Sequence, residues 1–434
     1  MNDVSSKAWE AYRASLSMAA LSTEEKNKAL LSLADSLWVR RSEIMEANRR
    51  DLERAGRLLG EGLMTSAAMS RLVLDEAKIC KMVEMVRSVI GLSDPVGVTN
   101  YSMELDDGLN LYRVTSPVGV IGFVFESRPD ALVQIASLCL KSGNSCLLKG
   151  GSEAQMSNRI LFNVVKDATA SIQPGWVQLL EERSEVMDLL VLDEFVDLVI
   201  PRGSNTFVKY VQDNTRIPVL GHSEGVCNIY VDSEVDVSMA VNVCIDSKVQ
   251  YPAVCNAVDC ILVHSGVAEA LIPRLIKGLQ IKGVEVRVDH RVRSIFTSET
   301  KPLTDSDLGE EYLDYIVAIR VVDDLEEAVN FINRYGSHHT DAIMTLDPEN
   351  ARRFMSMVDS ASVFWNASTR FADGYRYGLG AEVGISTGKI HARGPTGLEG
   401  LVSYKYYLKG DGHVVADYAE KRRSFKHIKS DEKW

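Results

Sequence analysis

Nothing in the sequence pairs its cysteines. There are seven, Cys80, Cys139, Cys146, Cys227, Cys244, Cys255 and Cys260, and no two stand in a CxxC spacing. An odd count without ligand spacing offers neither a disulfide framework nor a zinc site, and it fits a reducing compartment. No apolar run approaches the roughly 18 residues of a membrane span, and Met1-Asn-Asp-Val-Ser5 lacks the basic stretch and apolar core of a secretion signal. Positive charge is in short supply too. Lys and Arg number 48 against 60 Asp and Glu, a net charge of −12, which argues against nucleic acid or an anionic membrane as the main partner, because both need a basic face. The basic stretch Lys421-Arg-Arg423 is a local exception and reads as part of a solvated tail. Repeats, low-complexity segments and a GxGxxG fingerprint are all missing. The expectation is a soluble, unprocessed, cytoplasmic protein with no metal site.

What is present is an ordinary globular composition, 46% apolar and 25% charged, in 434 residues, too many for one core and enough for two or three lobes. The first hundred residues are helical in pattern. Ser22-Thr-Glu-Glu25 forms a capping box ahead of the stripe Leu30, Leu33, Ala34 and Leu37, and a further helix is expected at 76–90. Alternation on both sides of Asp107-Gly108 predicts a hairpin over 101–114, and 401–408 is a candidate third strand, from this chain or a neighbouring subunit. Short apolar runs at 118–125, 146–149, 177–180, 196–200, 217–220 and 228–231 alternate with helical runs at 130–141, 153–168 and 204–213. That pattern predicts a mostly parallel sheet covered on both faces, with ligands at the strands' carboxyl ends. A second α/β unit follows, with helices at 237–247, 267–280 and 325–334 and strands at 260–263, 315–322, 342–345 and 361–365, then a glycine-dense loop over 366–400.

Four stretches carry chemistry. Lys248-Val-Gln-Tyr-Pro-Ala-Val-Cys-Asn-Ala257 joins a helix to a strand, and Pro252 stops the helix, which leaves Cys255 on an irregular loop where a nucleophile is both held and reached. A free cysteine is more often an inert buried hydrophobe, so the loop alone does not make it reactive. Lys149-Gly-Gly-Ser152 and Pro201-Arg-Gly-Ser204 both end strands and open helices, turns suited to the phosphates of a dinucleotide. Arg128, in Phe125-Glu-Ser-Arg-Pro129, is either a clamp for a carboxylate or phosphate, or half of a surface ion pair.

Taken together with Ser116-Pro-Val-Gly-Val-Ile-Gly122, Leu140-Lys-Ser-Gly-Asn144, Gly221-His-Ser-Glu-Gly-Val-Cys-Asn228, Tyr335-Gly-Ser-His-His-Thr-Asp341, Asn366-Ala-Ser-Thr-Arg370, Gly380-Ala-Glu-Val-Gly-Ile-Ser-Thr387 and His391-Ala-Arg-Gly-Pro395, these stretches give the chain a specific resemblance. It resembles the γ-glutamyl phosphate reductases, a branch of the aldehyde dehydrogenase superfamily, from about residue 8 to about 415. The resemblance implies an α/β aldehyde dehydrogenase-like fold. A Rossmann-like cofactor domain would span 1–99 and 115–232, a catalytic domain 233–399, an oligomerisation element 100–114 with 400–412, and a tail 413–434. It implies NADPH-dependent reduction of L-glutamyl 5-phosphate to L-glutamate 5-semialdehyde in proline biosynthesis. Phosphate is released and the acyl group rides on Cys255 as a thioester, so the two domains are expected to meet there.

Further roles come from the same resemblance. Lys149 matches the lysine that contacts the adenosine ribose. Ser152 stands where NAD-preferring members tend to carry a glutamate, which favours NADPH despite Glu153 next door. Gly203 and Ser204 are expected at the pyrophosphate and Glu311 at the nicotinamide ribose. Gly221 occupies the place of the glutamate base of hydrolytic relatives, with Glu224 as a fallback base. The superfamily's oxyanion-hole asparagine is missing, so Asn256 or a side chain from 126–128 is expected to assist the Cys255 N–H. Arg128, Arg370 and Arg393 are candidates for the substrate's anionic groups and Glu382 for its ammonium; His338 and His339 are expected to be structural. The partners implied are a second copy of the chain, in a homodimer or higher homo-oligomer, and a functional pairing with glutamate 5-kinase, this chain itself being free-standing. The competing readings are a non-phosphorylating aldehyde dehydrogenase of another substrate and a non-catalytic binding protein.

Overall fold

In the computed structural model residues 3–126, 128–221 and 224–434 are described. The expectations placed on Ser127, His222 and Ser223 lie outside them. The chain divides into two compact units, Met1–Leu220 with Leu379–Gly384 and Thr396–Trp434, and Gly221–Gly378 with Ile385–Pro395.

The first unit opens with helices Asp3–Met18, Thr23–Val39, Arg41–Gly60, Ser66–Leu72 and Glu76–Gly91. The capping box at Ser22 is formed as read, its hydroxyl accepting from Glu25 N–H while Glu25 reaches back. A four-stranded sheet follows in the order Val177–Leu180, Ser145–Gly150, Val120–Phe125, Leu198–Arg202, with every pairing parallel. Both central strands are buried along their whole length, as strands covered on two faces must be. Val4, Ala8 and Ala11 of the first helix share a core with Val120, Val124 and Val199. The segment expected as a strand at 217–220 contributes a single bridge, Val219 to Val199.

Antiparallel strands Val402–Lys409, Leu109–Pro117, Thr99–Asp106 and Ile428–Ser430 form a separate sheet in that order. The hairpin and the 401–408 strand thus pair within one chain. The tail is exposed, as expected, and is also ordered. Ile428–Ser430 adds the fourth strand, Arg423 pairs with Asp106 at 2.9 Å, and the Trp434 ring packs edge-on against Tyr112 and Tyr407.

The second unit holds seven parallel strands in the order Lys301–Pro302, Glu285–Val288, Ile316–Val322, Val258–His264, Cys227–Val231, Thr340–Met344, Ser362–Trp365. Helices Val237–Val249 and Ser265–Ile281 cover one face through Ala240, Cys244, Leu271 and Leu275. Helices Leu325–Tyr335 and Pro348–Met357 cover the other through Val329, Ile332 and Phe354. The boundary expected at 232 is corrected to 220/221. Cys227–Val231 is buried at every position and has a parallel neighbour on each side, so it is a central strand of this sheet and not the last strand of the first. Among the described residues no helix is long and apolar enough to cross a membrane.

Candidate active site

The first unit gathers its candidate residues at the carboxyl ends of its strands. Lys149 closes Ser145–Gly150 and is buried, its Nζ donating to the Gly150 carbonyl at 2.6 Å. Burial holds this ammonium below its ordinary value, and the Glu153 carboxylate pulls the other way. Space demands the first of the two glycines, against the buried Asn158, while the second faces only the movable Glu153 side chain. A Cβ on Gly150 would lie 2.1 Å from the Asn158 side-chain nitrogen, and one on Gly151 would lie 2.1 Å from a Glu153 carboxylate oxygen. Asn158 lines a crevice there with Gly150, Gly151 and Leu180, and its Oδ1 is buried with no hydrogen-bond partner among the described residues. Ser152 is exposed at the start of the turn Ser152–Ala154. Two strands across the same sheet Gly203 and Ser204 lead into the helix Asn205–Asp213 as expected, but the anion at that N-terminus is protein-borne: Ser204 N–H donates to a Glu126 carboxylate oxygen at 3.2 Å. A glycine cradle, a cation with spare donors and an orphaned buried acceptor fit a dinucleotide. Lys149, Asn158 and Gly151 are the groups that would hold it, while the Gly203–Ser204 turn is occupied by Glu126.

The second unit places Cys255 at the amino edge of its sheet, three residues before the strand Val258–His264. The helix ends at Val249 with Gln250 as its cap, two residues short of Pro252, the stop that proline predicts. Cys255 is half-buried while Cys139, Cys146, Cys227, Cys244 and Cys260 are buried. Burial pushes the Cys244 and Cys260 thiols up to about 12, which leaves them protonated and inert at neutral pH. The loop's backbone is fixed from beneath, where the Cys227 thiol donates to the Cys255 carbonyl at 3.1 Å. From above, Gly225 passes so close that a Cβ on it would lie 2.3 Å from the Cys255 Cβ. Asn256 turns inward, buried, and donates to the Ala372 carbonyl at 2.7 Å. Its amide therefore braces the loop, where an oxyanion donor was expected. Under the loop, Lys248 and Asp259 form a fully buried ion pair at 3.3 Å; burial pushes the Asp259 carboxyl up against the pull of Lys248.

The other expected residues part company. Arg370 is buried and its Nε donates to the Gln250 side-chain oxygen at 2.9 Å. Arg393 is spent on Asp359, with Nη1 at 3.0 Å from a carboxylate oxygen and Nη2 at 3.0 Å from the carbonyl, so it pins the glycine-rich loop. Arg128 is exposed and pairs with Asp130 at 3.4 Å in the first unit, the surface-pair alternative. Glu382 also belongs to the first unit, where its backbone carbonyl accepts from Gln134. Glu311 is part-exposed in the loop ahead of Ile316–Val322. His339 is buried beside Thr340, and His338 contacts the Asp359 carbonyl at 2.6 Å; both are structural contacts. Glu224 is exposed next to Gly225. Sequence reasoning missed Gly225, Gln250 and Asn158; Gly225 and Gln250 carried a signal, since each lies inside a stretch already singled out.

Comparison with known proteins agrees with this architecture. The model of the aldehyde dehydrogenase family matches residues 2–292. The chain is 54% identical to the γ-glutamyl phosphate reductase of Natronomonas pharaonis over 425 residues, 98% of this chain and 97% of that one. To the γ-glutamyl phosphate reductase of Acetivibrio thermocellus it is 52% identical over 428 residues, 98% of each. A solved structure of γ-glutamyl phosphate reductase from Thermotoga maritima superimposes with a TM-score of 0.92 at 40% identity, over 95% of this chain and 100% of that one. The chain therefore belongs to the aldehyde dehydrogenase family, among its γ-glutamyl phosphate reductases.

Proposed function

We propose that this oxidoreductase reduces L-glutamyl 5-phosphate to L-glutamate 5-semialdehyde in proline biosynthesis, with NADPH as reductant and release of inorganic phosphate. The observation that carries the reading is Cys255, half-buried on a loop whose backbone is locked by Gly225, Cys227 and Asn256. Its sulfur attacks the acyl carbon, the bond from that carbon to the phosphate oxygen breaks, and phosphate leaves with the electron pair. When bound, NADPH supplies the hydride that reduces the thioester carbon. The carbon–sulfur bond then breaks, the aldehyde departs and the Cys255 thiolate is restored. Gly221 has no side chain with which to activate water, so the thioester is discharged by hydride, or by phosphate in reverse, in preference to hydrolysis.

Lys149 and Asn158 hold the adenosine end of the dinucleotide, and the exposed Ser152 presents no carboxylate to a 2′-phosphate. The protein assembles as a homodimer or higher homo-oligomer through the strand Val402–Lys409, whose Tyr404, Tyr406 and Leu408 are exposed; sedimentation showing only monomer would remove this part. The reaction is tested by following NADP⁺ reduction with glutamate 5-semialdehyde, with and without phosphate. Turnover that needs phosphate and is lost in Cys255→Ala is expected. Phosphate-independent turnover would move the assignment to a hydrolytic dehydrogenase with Glu224 as its base.

A further inference from the structure

The segment carrying Arg370 is tied to both flanks of the nucleophile. Gln250, five residues before Cys255, accepts from Arg370 Nε at 2.9 Å, and Asn256, directly after it, donates to the Ala372 carbonyl at 2.7 Å. Ser247, on the last turn of the preceding helix, accepts from Thr369 N–H at 3.3 Å. A second guanidinium is held against the same segment: Arg376 Nη1 donates to the Arg370 backbone carbonyl, and its charge acts on the Arg370 guanidinium. Neither arginine forms an ion pair with a carboxylate among the described residues. The adjacent acid, Asp373, instead accepts from the N–H groups of Tyr375 and Arg376 at 3.1 and 3.2 Å.

Arg370 is 8% exposed and Arg376 is exposed. One charge is thus desolvated and the other open to an arriving ligand. Burial first, and then the charge of Arg376, hold Arg370 below the ordinary arginine value, while Cys255 and the acids Asp373 and Asp246 pull it back. Two cations without a counter-ion are relieved by an anion that accepts from both, and a planar guanidinium matches a phosphoryl group bidentately.

We propose that Arg370 and Arg376 together form the phosphoryl subsite of the reaction, with Gln250 and Asn256 as positioning residues that aim Arg370. The proposal rests on the acyl-phosphate reading above. Of the two anionic groups on that substrate, the phosphate is bonded to the carbon that sulfur attacks, whereas the α-carboxylate lies at the far end of the chain. Cations docked against the Cys255 loop therefore face the phosphate. They take up the charge that grows on its oxygen as the carbon–oxygen bond breaks, and in reverse they hold inorganic phosphate for attack on the thioester.

The test varies inorganic phosphate at saturating glutamate 5-semialdehyde and NADP⁺. Arg376→Gln, an exposed position that leaves the fold intact, is expected to raise the phosphate KM about tenfold, the range of a lost charge-assisted hydrogen bond, with the semialdehyde KM unmoved. Arg376→Lys recovers part of the loss, since it restores the charge but not the fork. Gln250→Leu gives a smaller rise in the same constant, which a merely structural role would not single out. An unchanged phosphate KM in Arg376→Gln, or a rise in the semialdehyde KM in its place, overturns the subsite while the phosphorylating reaction stands. A parent enzyme that turns over without phosphate overturns the reaction and the subsite together.

Discussion

The carboxyl edge of the first sheet and the amino edge of the second each bury a lysine, and the two are held in opposite ways. Lys149 has a single partner among the described residues, the Gly150 carbonyl. Lys248 faces the Asp259 carboxylate and the Asp314 carbonyl. An ammonium has three donors, so Lys149 keeps two in reserve, whereas Lys248 is committed to a buried carboxylate and a carbonyl. Residue type and burial are the same. What separates a ligand-binding lysine from a structural one is whether the protein supplies a buried counter-ion.

That contrast is sharpest on stability. Lys248→Met leaves Asp259 buried beside no cation, and unfolding should become easier by about 3–5 kcal/mol, the cost of stranding one half of a buried pair, read as a fall in the urea midpoint. Lys149→Met strands no acid. Its expected effect is on the ligand, a loss of about 2 kcal/mol of binding or roughly thirtyfold in Kd for NADP⁺, followed by fluorescence titration, with the midpoint nearly unmoved. Equal destabilisation by the two changes would erase the distinction.

A third test uses pH. Burial raises the Asp341 carboxyl, on the second unit's sheet, to about 6, against hydrogen bonds from Asn228 and Ser360. A carboxyl raised on folding binds its proton more tightly in the folded state. Its contribution is therefore fully present below about pH 4 and is lost as pH rises through about 6, a swing of about 3 kcal/mol in stability. The difference between parent and Asp341→Asn urea midpoints should change across that window and be flat above about pH 7. The smallest effect is expected on the first unit's surface. Arg128→Gln removes an exposed pair worth under about 0.5 kcal/mol and should leave the phosphate KM in place; a rise matching that of Arg376→Gln would restore Arg128 as a substrate clamp.

The same contrast explains what the sequence disclosed. Strand-end turns such as Lys149-Gly-Gly-Ser152 announce themselves locally, because glycine spacing and the change from strand to helix lie within a few residues. So do the capping box at Ser22 and the hairpin at Asp107-Gly108. Long-range partnerships do not. Whether Cys227–Val231 closes one sheet or sits inside the next depends on Val258–His264 and Thr340–Met344, strands read only after it in the chain. Asn256 and Arg393 both had reactive neighbours in sequence, yet each is turned to a partner far along the chain, Ala372 and Asp359. Glu285–Val288 was missed for a similar reason: alternating charged and apolar residues make a weak four-residue signal, and its neighbours Ile316–Val322 and Lys301–Pro302 stabilise it. The charged tail 413–434 is solvent-exposed as read, but its order was not legible, because the acids that hold it, Asp106 and Asp107, sit on a hairpin some three hundred residues earlier.

Everything proposed for the reaction depends on Cys255 carrying the acyl group. The direct measurement is the mass of the intact chain after incubation with glutamate 5-semialdehyde and NADP⁺ in the absence of phosphate, followed by peptide mapping. The account predicts one glutamyl adduct on the peptide containing Cys255, discharged on adding phosphate and absent from Cys255→Ala. Full turnover by Cys255→Ala, or an adduct mapped to a different cysteine, would contradict it.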